Sequence, residues 1–229
     1  MSSVYDSTNN KIVLAYGDGG NSTYGTSIVG TVSGTSISFG TAALFRSAAA
    51  YAISATYDST NNKIVIAYAG GSNYGTAVVG TVSGTSISFG AEVVFEAAGS
   101  GNIATTFDST NSKVVIAYKD GGNSDYGTAI VGTVSATSIS FGTAVVFENA
   151  ETSDVSATFD STNNKIIIGY KDRGNSAGYG TAIVGTVSGT SVSFGTPVVF
   201  EPAETISISI IFDSTNNKTA VAFSDVGNS

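Results

Sequence analysis

The chain contains no cysteine, no histidine and no tryptophan. Without cysteine it has neither disulfide bonds nor thiolate chemistry. Without histidine it lacks the side chain used most often as a general base and as a transition-metal ligand. No apolar run approaches the ~20 residues that a helix needs to span a bilayer. These absences argue against an enzyme and against membrane insertion.

Positive charge is also scarce. The chain has nine Lys and Arg residues, dispersed along its length, and a net charge of −8. Binding to nucleic-acid phosphates or to anionic membranes depends on clustered Lys and Arg. We therefore expect neither nucleic acid nor a membrane surface as a partner.

One segment is repeated along the whole chain, four times in full and once in part. Its turn, DSTNNK or DSTNSK, begins at Asp6, Asp58, Asp108, Asp160 and Asp213, at intervals of 52, 50, 52 and 53 residues. A fixed period of this length indicates a repeat architecture. No linker separates the copies, so we predict a single domain with repeats 1–52, 53–102, 103–154, 155–207 and a partial repeat 208–229.

Each repeat has the pattern of four short strands. In the second repeat we predict strand A over 53–57, strand B over 63–68, strand C over 74–83 and strand D from 86, continued by 92–96. Strand B, KIVIAY, is apolar on both faces, which predicts that both faces are covered. Gly80 inside strand C indicates a bulge or a close backbone approach.

The connections between repeats vary most in sequence. They cover 46–52, 97–102, 149–154 and 202–205, and we expect them to be irregular. A function that only one repeat performs would lie in these connections, because binding residues concentrate on loops carried by a rigid scaffold.

The fold predicted from these patterns is all-β, a β-propeller of roughly 50-residue, four-stranded blades. Strands A and B occur five times, and strands C and D four times. This favours five blades with an incomplete last blade. The alternatives are a four-bladed ring with a spare hairpin, or that hairpin swapped into a second copy. Unpaired strands also predict self-association.

The order of these landmarks resembles the repeats of sialidase-type and related β-propellers. The Asp-box of that family reads S-x-D-x-G-x-x-W, whereas SGTSISFG at 83–90 has neither the Asp nor the Trp. Sialidases also bind their substrate's carboxylate with three arginines, and this chain has only Arg46 and Arg173. The resemblance therefore implies the propeller fold without the hydrolytic activity.

The amino-acid sequence of the repeat also resembles the sequences of long tandem arrays in marine bacterial and phage surface proteins. This second resemblance implies an extracellular or virion-surface location. No charged and apolar signal-peptide pattern is visible at the start of the sequence.

The loop between strands B and C is the main candidate for a binding site. An aromatic ring can stack on a sugar while neighbouring amides bond its hydroxyl groups, so we predict carbohydrate binding at this loop. The alternative is that the tyrosines seal the ends of the sheets with their hydroxyl groups outward. The predicted ligand-binding residues are Tyr24, Tyr74, Tyr126, Tyr179, Asn21, Asn73, Asn123 and Asn175.

Two further candidates involve carboxylates. Asp120, Asn123 and Asp125 are oxygen donors of the kind calcium prefers, although their spacing is not that of an EF-hand. The alternative is a turn shaped by Gly and Asn.

In DSTNNK, the aspartate is best explained as a turn residue that bonds the backbone. A ring of such aspartates could in principle bind cations.

No residue set predicts catalysis. Glu148 with Glu151 and Glu201 with Glu204 are paired carboxylates, but they lie in the connections and not in a pocket that raises a pKa. We therefore predict a non-catalytic, multivalent, lectin-like module whose partners are glycans. The alternative is a structural or spacer repeat domain of a larger surface or virion fibre protein, with no ligand of its own.

Overall fold

The protein is built of antiparallel β-sheet. A computed structural model describes residues 1–175 and 177–227, so Ser176, Asn228 and Ser229 lie outside the described residues. Two short 3₁₀ turns, Gly19–Asn21 and Gly71–Asn73, lie in the B–C loops of the first two repeats. The strands are β1 Ser2–Asp6, β2 Lys11–Asp18, β3 Tyr24–Ser33, β4 Ser36–Phe39, β5 Ala43–Ala49, β6 Tyr51–Asp58, β7 Lys63–Ala69, β8 Tyr74–Ser83, β9 Ser86–Phe89, β10 Val93–Asp108, β11 Lys113–Asp120, β12 Tyr126–Ser135, β13 Ser138–Phe141, β14 Val145–Asp160, β15 Lys165–Asp172, β16 Tyr179–Ser188, β17 Ser191–Phe194, β18 Val198–Asp213 and β19 Lys218–Asp225.

The predicted all-β class is confirmed. Five A–B hairpins and four C–D pairs are present in the part of the chain that the structure describes. No helix in this part is long and apolar enough to cross a membrane.

Long strands connect consecutive repeats, which we call units 1 to 5 in chain order, the fifth being the partial repeat. The first half of β10 pairs with strand C of unit 2, β8, and its second half pairs with strand B of unit 3, β11. In the same way, β14 pairs with β12 and then with β15, and β18 pairs with β16 and then with β19. Hydrogen bonding is therefore continuous from β6 to β19.

The prediction that the connections are irregular is wrong. Segments 97–102, 149–154 and 202–205 lie inside β10, β14 and β18, and 46–52 spans the end of β5 and the start of β6. Register shifts interrupt these strands, with Asn102, Asp154 and Ser207 in the left-handed region. The segments are rich in Ala, Gly, Asn and Glu, so their strand conformation depends on pairing with neighbours and not on propensity.

The DSTNNK turn is a hairpin turn, as the sequence predicts. In unit 3, the Asp108 carboxylate accepts hydrogen bonds from the backbone N–H groups of Thr110 and Asn111 and from the Asn111 side chain, at 2.8–3.0 Å. Ser112 then adopts a left-handed conformation with a φ of 54° before strand B begins at Lys113. The aspartate thus fixes the turn that joins strands A and B.

Consecutive units stack face to face. In unit 2, one face of the sheet packs against Val13, Ala15 and Val29 of unit 1. The opposite face packs against Val114 and Ile116 of unit 3. We call the first the leading face and the second the trailing face. The leading face of unit 2 carries Ile64, Ile66, Tyr68 and Val78, and the trailing face carries Val65, Ala67, Ala77 and Val79.

Side chains of strand D packed closely over the backbone explain the glycines inside strand C. A Cβ atom at Gly80 would lie 2.9 Å from the side chains of Ile87 and Phe89. The predicted bulge or backbone approach is therefore not what the structure shows: side chains of strand D pack over the glycine, and the strand register is regular there. An aromatic pair then joins each unit to the next, with ring centroids 5.1–5.2 Å apart, in Phe45–Tyr68, Phe95–Tyr118, Phe147–Tyr170 and Phe200–Phe223.

The two ends of the stack expose apolar surface. On the leading face of unit 1, Val32 is 55% exposed, whereas its equivalent Val82 is 8% exposed. On the trailing face of unit 4, Val184 is 46% exposed, whereas Val131 is fully buried. A closed ring would cover both faces. The propeller, its closure and its number of blades stay predictions.

Candidate functional site

The B–C loops and the DSTNNK turns lie at opposite ends of strand B, and we call these the loop end and the turn end. The four candidate tyrosines begin strand C at the loop end. Tyr24, Tyr126 and Tyr179 are half-buried, and Tyr74 is 39% exposed. Each tyrosine therefore offers part of its surface to solvent.

The B–C loop of unit 3 is held by its own hydrogen bonds. The buried Asp120 carboxylate accepts the Gly122 N–H at 2.9 Å. The Asn123 N–H donates to the Asp120 carbonyl, and the Asn123 carbonyl accepts the Tyr126 N–H. Asp18 and Asp172 bond Gly20 and Gly174 in the same way. The loop aspartate therefore fixes the turn that positions the tyrosine at the start of strand C.

The predicted calcium residues already have partners. Asp120 bonds the loop backbone, and Asp125 Oδ1 lies 3.1 Å from Lys119 Nζ. Among the described residues, no three His, Cys, Asp or Glu side chains are grouped closely enough to hold a metal ion. Calcium at this loop stays a prediction, and binding would have to replace these contacts.

An open cleft of about 290 Å³ lies at the loop end between units 2 and 3. It brings together Asn73 of one unit with Lys119 and Asp125 of the next. Tyr126 and Asn123 belong to the same loop but lie outside the lining. In the part of the chain that the structure describes, the lining consists of Asn73, Gly99, Ser100, Gly101, Lys119, Gly121 and Asp125.

Unit 4 carries a second cleft, of about 260 Å³. Here Lys171 is almost wholly buried, and its Nζ lies 2.7 Å from Glu204 Oε1. The hydrogen bond and the charge of Lys171 hold the pKa of Glu204 below its usual value. Among the described residues, the lining includes Lys171, Arg173, Asn175, Ala177, Gly178 and Glu204.

Sequence reasoning missed the basic members of both clefts. Lys119, Lys171 and Arg173 line them, although the sequence pointed to tyrosine and asparagine. The segments 97–102 and 202–205, where a function private to one unit was expected, do contribute Gly99–Gly101 and Glu204. The missing information was which loops of neighbouring units face each other.

No protein-family model matches this chain, and no curated protein matches it. The resemblance to sialidase-type propellers stays a prediction based on the motifs quoted above.

The two arginines, Arg46 and Arg173, lie in different parts of the molecule. Arg46 bonds Glu92 between units 1 and 2 and lies 5.7 Å from the centroid of the Tyr68 ring, whereas Arg173 lines the unit 4 cleft.

The clefts combine hydrogen-bond donors and acceptors. The cleft between units 2 and 3 presents the amide of Asn73 from a loop, the ammonium of Lys119 from the end of β11 and the carboxylate of Asp125 from the next loop. A ligand rich in hydroxyl groups can both donate to and accept from such a set. This arrangement is suited to binding.

Proposed function

We propose that this protein is a non-catalytic, multivalent carbohydrate-binding module. The observation that carries the proposal is the cleft where Asn73 of one unit meets Lys119 and Asp125 of the next. Sugar hydroxyl groups bond these side chains, and the exposed part of Tyr74 or Tyr126 provides an apolar surface for the ring.

The repeated architecture makes the binding multivalent. We propose that the units are propeller blades, five with the last reduced to its A–B hairpin, or four with a spare or swapped hairpin. Four B–C loops then occupy equivalent positions at one end of the molecule. Weak single-site affinities combine into strong attachment to a surface that carries many copies of the same glycan.

A glycan array tests this proposal. The purified protein is applied once with calcium and once with EDTA. We expect binding to one class of sugar, lost in Lys119→Ala and kept in Lys113→Ala. Both lysines lie on β11, but Lys113 is at the turn end and Lys119 is in the cleft. Sensitivity to EDTA would assign a role to Asp120 and Asp125.

The role of the tyrosine is tested separately. Tyr126→Phe keeps the aromatic ring and is expected to retain binding, whereas Tyr126→Ala is expected to lose it. Circular dichroism establishes that each variant is folded. A blank array with folded wild-type protein in both buffers would contradict the proposed function.

The exposed terminal faces favour a second function. A structural or spacer repeat of a larger surface or virion fibre protein would use these faces for stacking and would need no ligand. A folded protein that binds no glycan and associates through its terminal faces would support this second function.

A further inference from the structure

We propose that a second copy of this chain docks head to tail. The leading face of unit 1 in one copy would pack on the trailing face of the fifth A–B hairpin in the other. This is how consecutive units pack within the chain. The inference does not depend on the proposed sugar binding.

The first component is the head, the exposed leading face of unit 1. Leu14, Tyr16, Ile28 and Phe39 form one apolar depression together with Met1. Their equivalents in unit 2 include Ile66 and Tyr68, which are fully buried against unit 1. The sequence of the head is therefore that of a face which, elsewhere in the chain, is covered by a neighbouring unit.

The second component is the tail, the trailing face of the fifth hairpin. Ile210 is buried on unit 4, whereas the next residue, Ile211, points to the other face and is 65% exposed. Ala220 and Ala222 on β19 are also exposed. Within the chain, the hairpin packs on unit 4 mainly through strand A, because β18 lies against β14 and β15, while Phe223 of strand B packs against Phe200.

The turn end provides independent polar evidence. Between consecutive units, a hydroxyl group of one DSTNNK turn bonds a polar side chain of the next, at 2.6–3.0 Å. At the two ends of this series, Thr215 Oγ1 has no partner among the described residues, and Asn10 Oδ1 accepts only the Tyr5 hydroxyl. Asn62 Oδ1, by comparison, accepts both Tyr57 and Thr8. The four bonds are Thr8–Asn62, Thr60–Ser112, Thr110–Asn164 and Thr162–Asn217.

A second set of polar contacts joins the A strands at three of the four boundaries between units; at the boundary of units 3 and 4, Ala104 replaces the serine. The hydroxyl group of a serine in one unit accepts a backbone N–H of the next at 3.0–3.1 Å. The corresponding groups at the two ends are the Ser209 hydroxyl and the Ser3 N–H. Head-to-tail docking would join Thr215 to Asn10 and Ser209 to Ser3. The observed contacts are Ser2 with Ala55, Ser54 with Thr105 and Ser156 with Ile210.

Because head and tail differ, this contact is heterologous. Such a contact closes into a ring of copies or extends as a filament. The chain's own fifth hairpin is the competing occupant of the head. That arrangement would close one chain into a ring.

Sedimentation velocity over a concentration series tests the proposal. The wild type is expected to form dimers and larger species. Leu14→Asp in the head and Ile211→Asp in the tail are each expected to weaken association on the order of a hundredfold, because each buries an unpaired carboxylate. Ser109→Asp, in the exposed turn of unit 3 and away from both ends, is the matched control and should associate like the wild type.

Mixing the two variants gives the decisive result. Leu14→Asp keeps an intact tail and Ile211→Asp keeps an intact head. Neither associates alone, but together they should form a dimer that grows no further. This outcome also establishes that both variants are folded. A monomeric wild type at all concentrations, or a mixture that stays monomeric, would overturn the proposal.

A disulfide cross-link distinguishes the two occupants. The chain has no cysteine, so Asn10→Cys with Thr215→Cys introduces one pair at the ends of the turn series. Oxidation should link different chains and give bands of dimer size or larger on a non-reducing gel. A cross-link within one chain would establish ring closure and overturn docking of a second copy.

Val184→Asp lies outside the proposed contact, so loss of association in that variant would overturn the proposed register.

Discussion

At the scale of single residues, three glycines mark the closest approaches between units. A Cβ atom at Gly90 would lie 1.8 Å from the backbone oxygen of Thr137, which belongs to the C–D turn of the next unit. Gly40 and Gly142 make the same approach to Thr85 and Thr190 at 1.9 Å. Their backbone φ angles are not in the left-handed region, so the requirement is for space.

Gly195 provides a matched control, because no C–D turn follows unit 4 in this chain. A Cβ atom there would find its nearest neighbour at 3.7 Å. We expect Gly90→Ala to lower the free energy of unfolding by about 2 kcal/mol or more through overpacking. Gly195→Ala should change it by less than about 0.5 kcal/mol. Urea unfolding of the two variants measures the difference, and equal effects would contradict this account of the contact.

Two turn aspartates, Asp160 and Asp213, are expected to make stability depend on pH. Burial alone would raise the pKa of Asp160, but hydrogen bonds from the Asn163 side chain and from the Asn163 and Thr162 backbone hold it below its usual value. Hydrogen bonds from Asn216 and Thr215 lower the pKa of Asp213. The folded chain therefore binds these protons less readily than the unfolded chain.

The sign of the effect follows by linkage. This stability is complete above the unfolded pKa of about 3.9 and is lost as the pH falls through the lowered folded pKa. Asp160→Asn keeps one acceptor for the turn but cannot titrate. We expect its free energy of unfolding to fall less steeply than that of the wild type between about pH 5 and pH 2. Urea unfolding across this range measures the slope, and an unchanged slope would argue against the role of Asp160.

At the scale of elements, the long strands depend on hydrogen bonds made by their bulges. Asn102 Oδ1 accepts the Asp154 N–H at 3.1 Å, and Asp154 Oδ1 accepts the Ser207 N–H at 2.9 Å. All three residues have a positive φ, which is costly for residues other than glycine. The bulges are therefore sites where backbone strain is offset by contacts between units.

Two substitutions of Asp154 separate these effects. Asp154→Gly loses the hydrogen bond but relieves the strain at its φ of 51°. Asp154→Ala loses the bond and keeps the strain. We expect the alanine variant to be less stable than the glycine variant by about 1 kcal/mol, as measured by urea unfolding. The reverse order would contradict the strain argument.

The same elements show how far the sequence predicts the structure. The bounds of β8 agree with the prediction, because β-branched residues and a glycine turn define that strand locally. The hairpin turns were predictable because an aspartate bonds a backbone only two and three residues away. The long strands were not, since Ala97–Asn102 becomes a strand only by pairing with β8 and β11. The cleft at Asn73 and Lys119 was missed for the same reason, because its two sides come from different units.

At the scale of the whole molecule, each unit is stabilised mainly by its neighbours. Strands β7, β11 and β15 lie between two other units, and their apolar side chains are almost all buried. Strand β19 is largely exposed, and β1 is covered on one side only. In a stack of this kind, stability is approximately a sum of unit terms and nearest-neighbour contacts.

Hydrogen exchange under monomeric conditions tests this picture. We expect amide protection to be highest in β7 and β11 and lowest in β1 and β19. Ile210→Ala weakens the contact of the fifth hairpin with unit 4, so it should speed exchange in β19 and leave β2 unchanged. Val13→Ala, buried between units 1 and 2, should do the reverse. Because coupling passes only through neighbouring units, the effect of each variant should fade along the stack. Equal acceleration in every strand would instead mean that the five units unfold as one cooperative body.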